Sequence, residues 1–508
     1  VQDTTYQPLL AKLLSTQAIC ITSLLLSLWL ILIDPVINTD AIIYLRTAEA
    51  FLSDGFSGSF SMFDRPTLPI AMALLHQLTG LSLVHSGQLI ISLIYLLLCL
   101  SFVSLIKQLG GNQRVQLFAL LIILCHPIVN NYRSSIMRDP GFWAFSLLSL
   151  IELINYARHQ KLKHQLRWLG FSCIAILFRF EAILFLTLAP LGLIFGLHQR
   201  LGKRIKAIAQ LLLPAVFSLG FILIILTIWL NLSLDKVFPH IALYSDELTG
   251  FKQHFNQISA TTGEALLRLS AREDALYATA AALLGIFVLN LLRATMFPFV
   301  AILFIGWWQS ISSPLRRSDN RIIQAYIIIS IGYLMVFTLA NRFMLERYCT
   351  FLVILLLIYV PFILDYYWEK AAFKNRALVR GSIALLLVLL AIDSLHNSDY
   401  KKAYLLNASQ WVQNNTPQGA SLLANDKHLA YFSYRQVNWA IKQNQSLEKI
   451  LSSGIWKQHQ YLLLKTKEKD YRNMTPLMSY PQLKLEHFIS GGKRGGVVVL
   501  RNNLYIKS

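Results

Sequence analysis

The stretch that decides the fold reads Ile19-Cys-Ile-Thr-Ser-Leu-Leu-Leu-Ser-Leu-Trp-Leu-Ile-Leu-Ile33 and passes at once into Asp34-Pro-Val-Ile-Asn-Thr-Asp40-Ala-Ile-Ile-Tyr44-Leu-Arg46-Thr-Ala-Glu49. The first half carries no charge from end to end. With its flanks it is long enough, as helix, to cross a hydrocarbon layer of about 30 Å. The second half sets Asp40, Tyr44 and Thr47 three to four residues apart, a spacing that a helix presents on one face. A membrane span therefore hands over directly to a charged connection with helical patterning, and the rest of the chain repeats that alternation.

Further apolar blocks lie at Leu89–Ile106, Ala207–Leu230, Ile322–Leu339, Phe351–Leu364 and Ile383–Ile392 with its flanks. Of 508 residues, 55% are hydrophobic and only 14% charged, too few charges to cover the surface of a water-soluble protein of this length. The first block has no small-residue cleavage site and reads as a retained span. The net charge of +20 would suit nucleic acid if it were gathered on one face. It falls instead in short clusters between apolar blocks: Arg158, Lys161, Lys163 and Arg167; Arg200, Lys203, Arg204 and Lys206; Arg316, Arg317 and Arg321; Lys370, Lys374, Arg376 and Arg380. Short loops rich in Lys and Arg mark the cytoplasmic side of a membrane, where anionic lipid headgroups are their partners. Nucleic acid is set aside. Cys20, Cys99, Cys125, Cys173 and Cys349 show neither CxxC nor regular spacing, so no zinc site or disulfide framework is expected.

Placing the basic clusters inside predicts a polytopic α-helical membrane protein with about 11–13 transmembrane helices, about 11 of them full crossings. The N-terminus falls inside and the C-terminus outside, with extracytoplasmic loops over residues 34–82, 126–138 and 232–275. Leu276–Ile311 is expected to make one crossing followed by a membrane-embedded helix, since two crossings would put Arg316 and Arg317 outside. Trp168–Leu197 suits two short helices with Arg179 and Glu181 at an outer tip. No internal repeat of the transporter kind is visible. The transmembrane domain occupies residues 1–395. Beyond it the composition changes: Tyr400–Asn414 has helical spacing, Asn415–Gly419 reads as a turn, and Ser421–Ala424, Tyr461–Leu464 and Val497–Leu500 are strand-length apolar runs. Residues 396–508 are thus expected to form a small extracytoplasmic α/β domain.

Chemistry is expected in the outer connections, which combine ionisable and apolar residues. Phe63-Asp64-Arg65-Pro66 precedes one apolar run; His126-Pro-Ile-Val-Asn-Asn-Tyr-Arg133 and Met137-Arg138-Asp139-Pro140 precede another. Phe178-Arg179-Phe-Glu181 and Asn341-Arg342-Phe-Met-Leu-Glu346-Arg347-Tyr348 complete the set. A charge beside hydrocarbon costs about 2.5–3.5 kcal/mol even on lenient scales, so it pairs or faces a cavity. Two readings follow. Each loop pairs its own charges, Asp64 with Arg65, Arg138 with Asp139 and Arg179 with Glu181; or together they supply carboxylates for proton transfer and guanidinium groups for a phosphate.

These motifs, in this order and on one side, resemble the GT-C superfamily of membrane glycosyltransferases, in particular the bacterial lipid-A aminoarabinose transferases and the protein O-mannosyltransferase-like group. Asp40-Ala-Ile-Ile-Tyr44 stands where that family carries an Asp-Glu-x-x-Tyr-type motif after the first span. Asp64-Arg65-Pro66 stands where it carries an acidic-Lys-Pro element, and Asp139-Pro140 and Arg347-Tyr348 match its later Asp-Pro and Arg-Tyr. The layout agrees over nearly the whole chain: many spans, then an outer α/β domain opening on an Ala-x-x-x-x-x-x-Trp helix and a Pro-x-Gly turn. Ala41 and Arg65 depart from the family's Glu and Lys.

The resemblance implies an integral-membrane glycosyltransferase of a bacterial inner membrane, with its active site and C-terminal domain facing the periplasm. Its donor is a polyprenyl-phosphate sugar, and its acceptor a lipid, glycan or protein. Arg65, Arg138 and Arg347, with Tyr348, would hold the donor phosphate. Asp40 would accept the acceptor's proton during inverting attack, and Asp64 or Asp139 would orient sugar or acceptor. Tyr44, Arg179 and Glu181 are further candidates, the last two equally suited to an internal ion pair. Participation of a divalent metal ion is open, with Asp64, Asp139, His240 and His254 as candidate ligands. The competing classes are an O-antigen ligase or polymerase, which concentrates its functional loop late in the membrane region, and a flippase or transporter of lipid-linked sugar, which places charges deep within repeated spans.

Overall fold

The computed structural model describes residues 7–34, 36–196, 201–228, 239–309, 311, 316–370, 375–395, 402–437, 439, 445–467, 480–492 and 495–505. The chain forms two compact units: Val1–Trp29 with Leu45–His396, and Leu30–Tyr44 with Asn397–Ser508.

Among the described residues, five helices are long and apolar enough to cross a membrane: Thr16–Ile33, Leu83–Gln108, Leu269–Thr295, Ser318–Asn341 and Arg376–Ser394. Glu346–Leu357 and Val360–Lys370, bent by 42° at their junction, make a sixth if taken as one span. Gln113–Cys125, Phe180–Phe195 and Phe297–Trp308 are apolar but shorter. The protein is a multi-pass membrane protein, and its surface shows why. On the first span Leu25 and Leu32 are 59% and 69% exposed while Ser23 and Ser27 are fully buried. That polarity is the reverse of a water-soluble helix and suits a face turned to lipid.

The connections expected as loops are themselves largely helical. Residues 34–82 contain the helix Thr39–Met62, kinked at Gly55 with φ 64°, and the helix Thr67–Thr79. Residues 239–274 form the helix Pro239–Leu266 and a 3-10 segment, Leu269–Asp274. Met296, with φ 68°, divides Ala275–Thr295 from Phe297–Trp308. The latter has 12 residues, about 18 Å of helix, too short to cross the hydrocarbon core alone.

The helix Asp139–His159 is central to the larger unit. It keeps Trp143, Leu147, Leu150 and Ile154 buried, and packs on Leu162–Phe178, Leu83–Gln108 and Arg317–Asn341. Ser149 Oγ lies 2.7 Å from Ser172 Oγ and 3.2 Å from the Tyr326 hydroxyl, so the Ser149 hydroxyl is satisfied within the bundle. The turn leading into this helix is pinned by Arg133, whose side chain is fully buried. Its Nη1 donates to Ser23 O, Ser23 Oγ and Ser27 Oγ at 3.1, 3.0 and 3.1 Å, its Nε donates to Asn130 Oδ1 at 3.0 Å, and its guanidinium lies 4.6 Å above the Tyr95 ring. Every contact is with a neutral group, a coherent way to hold a cation in a low-dielectric interior.

The smaller unit is built on a five-stranded sheet: β1 Ser421–Ala424, β2 Gln436–Val437, β3 Tyr461–Thr466, β4 Leu483–Ser490 and β5 Gly496–Asn502, in the order β2-β1-β3-β5-β4. β2, β1 and β3 run parallel; β5 is antiparallel to both β3 and β4. The interior of β5, Val497-Val-Val-Leu500, is buried on both faces, which accounts for its unbroken apolar run. One face packs against Leu405, Ala408 and Val412 of the helix Ala403–Asn415 and Leu429 of the helix Lys427–Phe432. The other packs against Ile450, Leu451 and Trp456.

Candidate functional site

In the larger unit, four of the arginines and carboxylate pairs singled out by sequence come together around the start of the Asp139–His159 helix. Asp64 and Arg65 occupy the break between two helices, and Arg65 Nε donates to Asp64 Oδ2 at 3.1 Å. Thr67 Oγ1, one residue past Pro66, donates to Leu177 O at 3.0 Å, tying this break to the turn at Arg179. There the helix Leu162–Phe178 ends on Arg179, whose backbone is extended (φ −144°, ψ 124°). Arg179 donates to Glu181 through Nη2 at 2.8 Å and Nε at 3.4 Å, and through Nη1 to Asp139. Glu181 also interacts electrostatically with Arg65.

Of the expected local pairs, Asp64–Arg65 and Arg179–Glu181 form, but Asp139 is taken by Arg179 rather than by Arg138. The reason is packing. Gly141 lies against the Phe178 ring so closely that a Cβ would sit 2.6 Å from its Cγ. This draws the Asp139 turn onto the Arg179 turn. Asp139 also stands in the first turn of its helix, where the backbone N–H groups favour an anion.

Arg138 is left facing a ring. Its guanidinium lies 4.7 Å from the centroid of Phe63, and its Nη1 is buried with no hydrogen-bond partner among the described residues. Arg347 donates to the Tyr348 hydroxyl at 3.2 Å, and the Tyr348 ring sits between two guanidinium groups, 5.1 Å from that of Arg347 and 5.2 Å from that of Arg179. Among the described residues, the guanidinium groups of Arg65, Arg138, Arg179 and Arg347 thus gather with the carboxylates of Asp64, Asp139 and Glu181. Such a cluster has the charge and the fork geometry to take up a phosphate. Tyr333, which sequence reasoning passed over, also interacts electrostatically with Arg179, Glu181 and Asp139. The only sequence signal was a lone tyrosine within an apolar span.

Asp40 and Tyr44 belong to the other unit. Asp40 is half-buried in the first turn of the helix Thr39–Met62, and Tyr44, one turn on, is buried. The turn opens with Ala41 N donating to Asn38 O at 3.0 Å.

No family model and no curated protein sequence matches this chain. Solved structures do. An oligosaccharyltransferase of Archaeoglobus fulgidus, in complex with zinc and sulfate, aligns over 95% of this chain and 73% of its own, with a TM-score of 0.55 at 13% identity. The archaeal oligosaccharyltransferase AglB from the same organism, in complex with an inhibitory peptide and a dolichol phosphate, aligns over 92% and 70%, with a TM-score of 0.51 at 12% identity. ArnT from Cupriavidus metallidurans, bound to undecaprenyl phosphate, aligns over 95% and 97%, with a TM-score of 0.41 at 12% identity. The fold is that of the GT-C membrane glycosyltransferases. The short motifs and the three-dimensional likeness lead to the same place.

The two candidate carboxylate ligands are engaged elsewhere. Asp64 and Asp139 each face an arginine, which occupies the carboxylate and repels a cation. Among the described residues, no three His, Cys, Asp or Glu side chains gather in a way that suits a metal ion. The side chains of His240 and His254 lie outside the described residues.

Proposed function

We propose that this GT-C protein transfers a sugar from a polyprenyl-phosphate carrier to an extracytoplasmic acceptor, with inversion at the anomeric carbon. The observation that carries the reading is Arg138, whose buried Nη1 lacks a hydrogen-bond acceptor among the described residues, at a turn where Arg65, Arg179 and Arg347 also gather. The reading is supported by the dolichol phosphate bound in a structure of the same fold. Arg65, Arg138 and Arg347, with the Tyr348 hydroxyl, hold the phosphate and offset the charge that grows on it as the sugar leaves. Arg179 spends its charge on Asp139 and Glu181 and acts as the brace of the cluster.

In the reaction, the acceptor oxygen or nitrogen forms a bond to the anomeric carbon, and the bond from that carbon to the phosphate oxygen breaks. Polyprenyl phosphate leaves as an anion, so no strong general acid is required. The acceptor's proton passes to Asp40. The basic clusters, with Arg158 at the far end of the helix that starts at Asp139, support a periplasmic position for this site in a bacterial inner membrane.

The test is transfer from a panel of radiolabelled polyprenyl-phosphate sugars in vesicles, comparing wild type with Asp40→Asn. Transfer that disappears in the variant supports both the reaction class and the role of Asp40. Movement of the carrier lipid across the bilayer without transfer would replace the reading with a flippase.

A further inference from the structure

The smaller unit contains a contact that no part of the proposed chemistry uses. Just past the carboxyl end of β1, Asp426 Oδ1 accepts from the backbone N–H of His428 at 2.9 Å and lies 3.0 Å from His428 Nδ1. On the far side of the ring, His428 Nε2 is 2.8 Å from the carbonyl oxygen of Ile37. The ring therefore meets an acceptor at each nitrogen, and satisfies both only when both carry hydrogen. Lys465 Nζ, at the end of β3, completes the group 3.1 Å from Asp426 Oδ2. Next to it, the Asn425 side chain donates to Lys465 O at 3.0 Å and accepts from Lys465 N at 2.7 Å, locking the ends of β1 and β3 together. His428 and Ile37 are both buried, at 3% and 5% exposure. Burial would raise the Asp426 carboxyl; the hydrogen bond and charge of His428, and the ammonium of Lys465, hold it well below the usual carboxylate range.

The place of this group is informative. In open α/β sheets the carboxyl ends of adjacent parallel strands form the crevice where ligands bind. Here His428, in the helix that follows β1, holds a piece of the protein's own chain. Ile37 lies three residues before Asp40, and the helix that presents Asp40 begins on the next carbonyl, Asn38 O. A donor on Ile37 O therefore fixes the position from which the first helical turn starts.

We propose that His428, braced by Asp426 and Lys465, is a positioning residue that holds the Ile37 turn and thereby aims Asp40 for proton transfer. This rests on the assignment of Asp40 as the proton acceptor. The α/β domain is on this view a clamp on the catalytic turn rather than only a platform for acceptors.

The experiment compares wild type, His428→Ala, His428→Gln and Asp40→Asn in the full chain reconstituted in vesicles. Amide hydrogen exchange over residues 36–44 and sugar-transfer kinetics are read on each. Losing the hydrogen bond to Ile37 O is expected to speed exchange over 36–44 by about tenfold in His428→Ala. The same variant should lower kcat by about ten- to a hundredfold with the donor KM unchanged, because the acceptor-side carboxylate is misplaced and the phosphate site is not. Glutamine, which keeps one N–H, should restore most of both. Unchanged exchange in His428→Ala overturns the clamp. Faster exchange with full kcat, while Asp40→Asn is inactive, overturns its positioning role. Full turnover in Asp40→Asn removes Asp40 from the reaction and takes the positioning role with it, so the two failures are told apart. Should His428→Ala fail to fold, Lys465→Met loosens the same brace from its other end and is judged by the same criteria.

Discussion

At the His159 end of the helix Asp139–His159, Arg158 donates to a fully buried Asp319 and to Gln108 O; at the Asp139 end, some 30 Å away for 21 residues of helix, Arg179 holds two carboxylates and leaves Arg138 to an aromatic ring. At the first end, which also carries the basic clusters, the buried carboxylates are matched, and in that sense it is balanced. Arg114 takes Asp365 and Glu369, and Glu152 takes His164, so charges there staple one helix to another and are used up in doing so. The second end gathers Arg65, Arg138, Arg179 and Arg347, and among the described residues the Arg138 Nη1 has no hydrogen-bond acceptor. A bundle gains nothing in stability from an arginine whose buried nitrogen lacks an acceptor. Its presence makes sense as readiness for an anion from outside the chain. On the proposed function, the difference separates charges that hold the fold from charges kept for a ligand.

The comparison breaks most visibly with matched substitutions at the two ends. Arg179→Met strands Asp139 and Glu181, and Arg158→Met strands Asp319. Each is expected to cost about 3–5 kcal/mol of stability, the usual consequence of leaving half of a buried ion pair. Thermal unfolding in detergent should show similar losses. Transfer per folded molecule should then divide them: abolished in Arg179→Met, kept in Arg158→Met. Equal loss of turnover in both would erase the distinction between the ends.

Arg138→Met sharpens it from the other direction. With no carboxylate to strand, the substitution should leave unfolding nearly unchanged. Affinity for polyprenyl phosphate should fall by about 1.5–3 kcal/mol, the range for hydrogen bonds to a charged group, or about ten- to a hundredfold in Kd. A titration of the purified protein with the lipid phosphate measures it. Unaltered affinity would mean that the Arg138 nitrogen serves something other than the donor.

The knot in the smaller unit adds a reading in pH. Because the Asp426 carboxyl is held below its ordinary value in the folded protein, its contribution to stability is fully present above the unfolded value, about 3.9 for an aspartate, and is lost as pH falls through the folded one. Wild type should therefore be more stable than Asp426→Asn at pH 7, with the gap unchanged down to about pH 5 and closing only in stronger acid. Hydrogen exchange over β1 and β3 follows this unit separately from the membrane helices. A gap that closes near neutrality would contradict the pairing with His428 and Lys465.

What the sequence made legible follows from range. The spans announce themselves through composition, and Ser421–Ala424 forms a strand over the very residues that its apolar run delimits. Asp64–Arg65 and Arg179–Glu181 were readable because adjacent or near-adjacent residues have little choice of partner. Asp139–Arg179 was not, since the partners are 40 positions apart and brought together by the contact of Gly141 with Phe178. Tyr333 was hidden inside an apolar run. The hold of His428 on Ile37 was invisible for a different reason: its acceptor is a backbone carbonyl, which every residue has, 391 positions away.

The smallest effect belongs to Arg114. It donates to Asp365 and Glu369 at the balanced end, but its side chain is 27% exposed and that of Glu369 59%, so water competes for both. Exposed pairs of this kind are worth about 0–1 kcal/mol, and screening by salt reduces even that. Arg114→Gln keeps a hydrogen-bond donor and removes the charge. It should shift the unfolding midpoint slightly at low ionic strength, not detectably at high salt, and leave transfer intact under both conditions. Asp365 is the more buried acceptor, 15% exposed against 59%, so Arg114→Gln should cost more than Glu369→Gln. If it also slowed transfer, a charge at one end of the bundle would be coupled to chemistry at the other. The balanced end would then have to be counted as part of the machinery rather than as its frame.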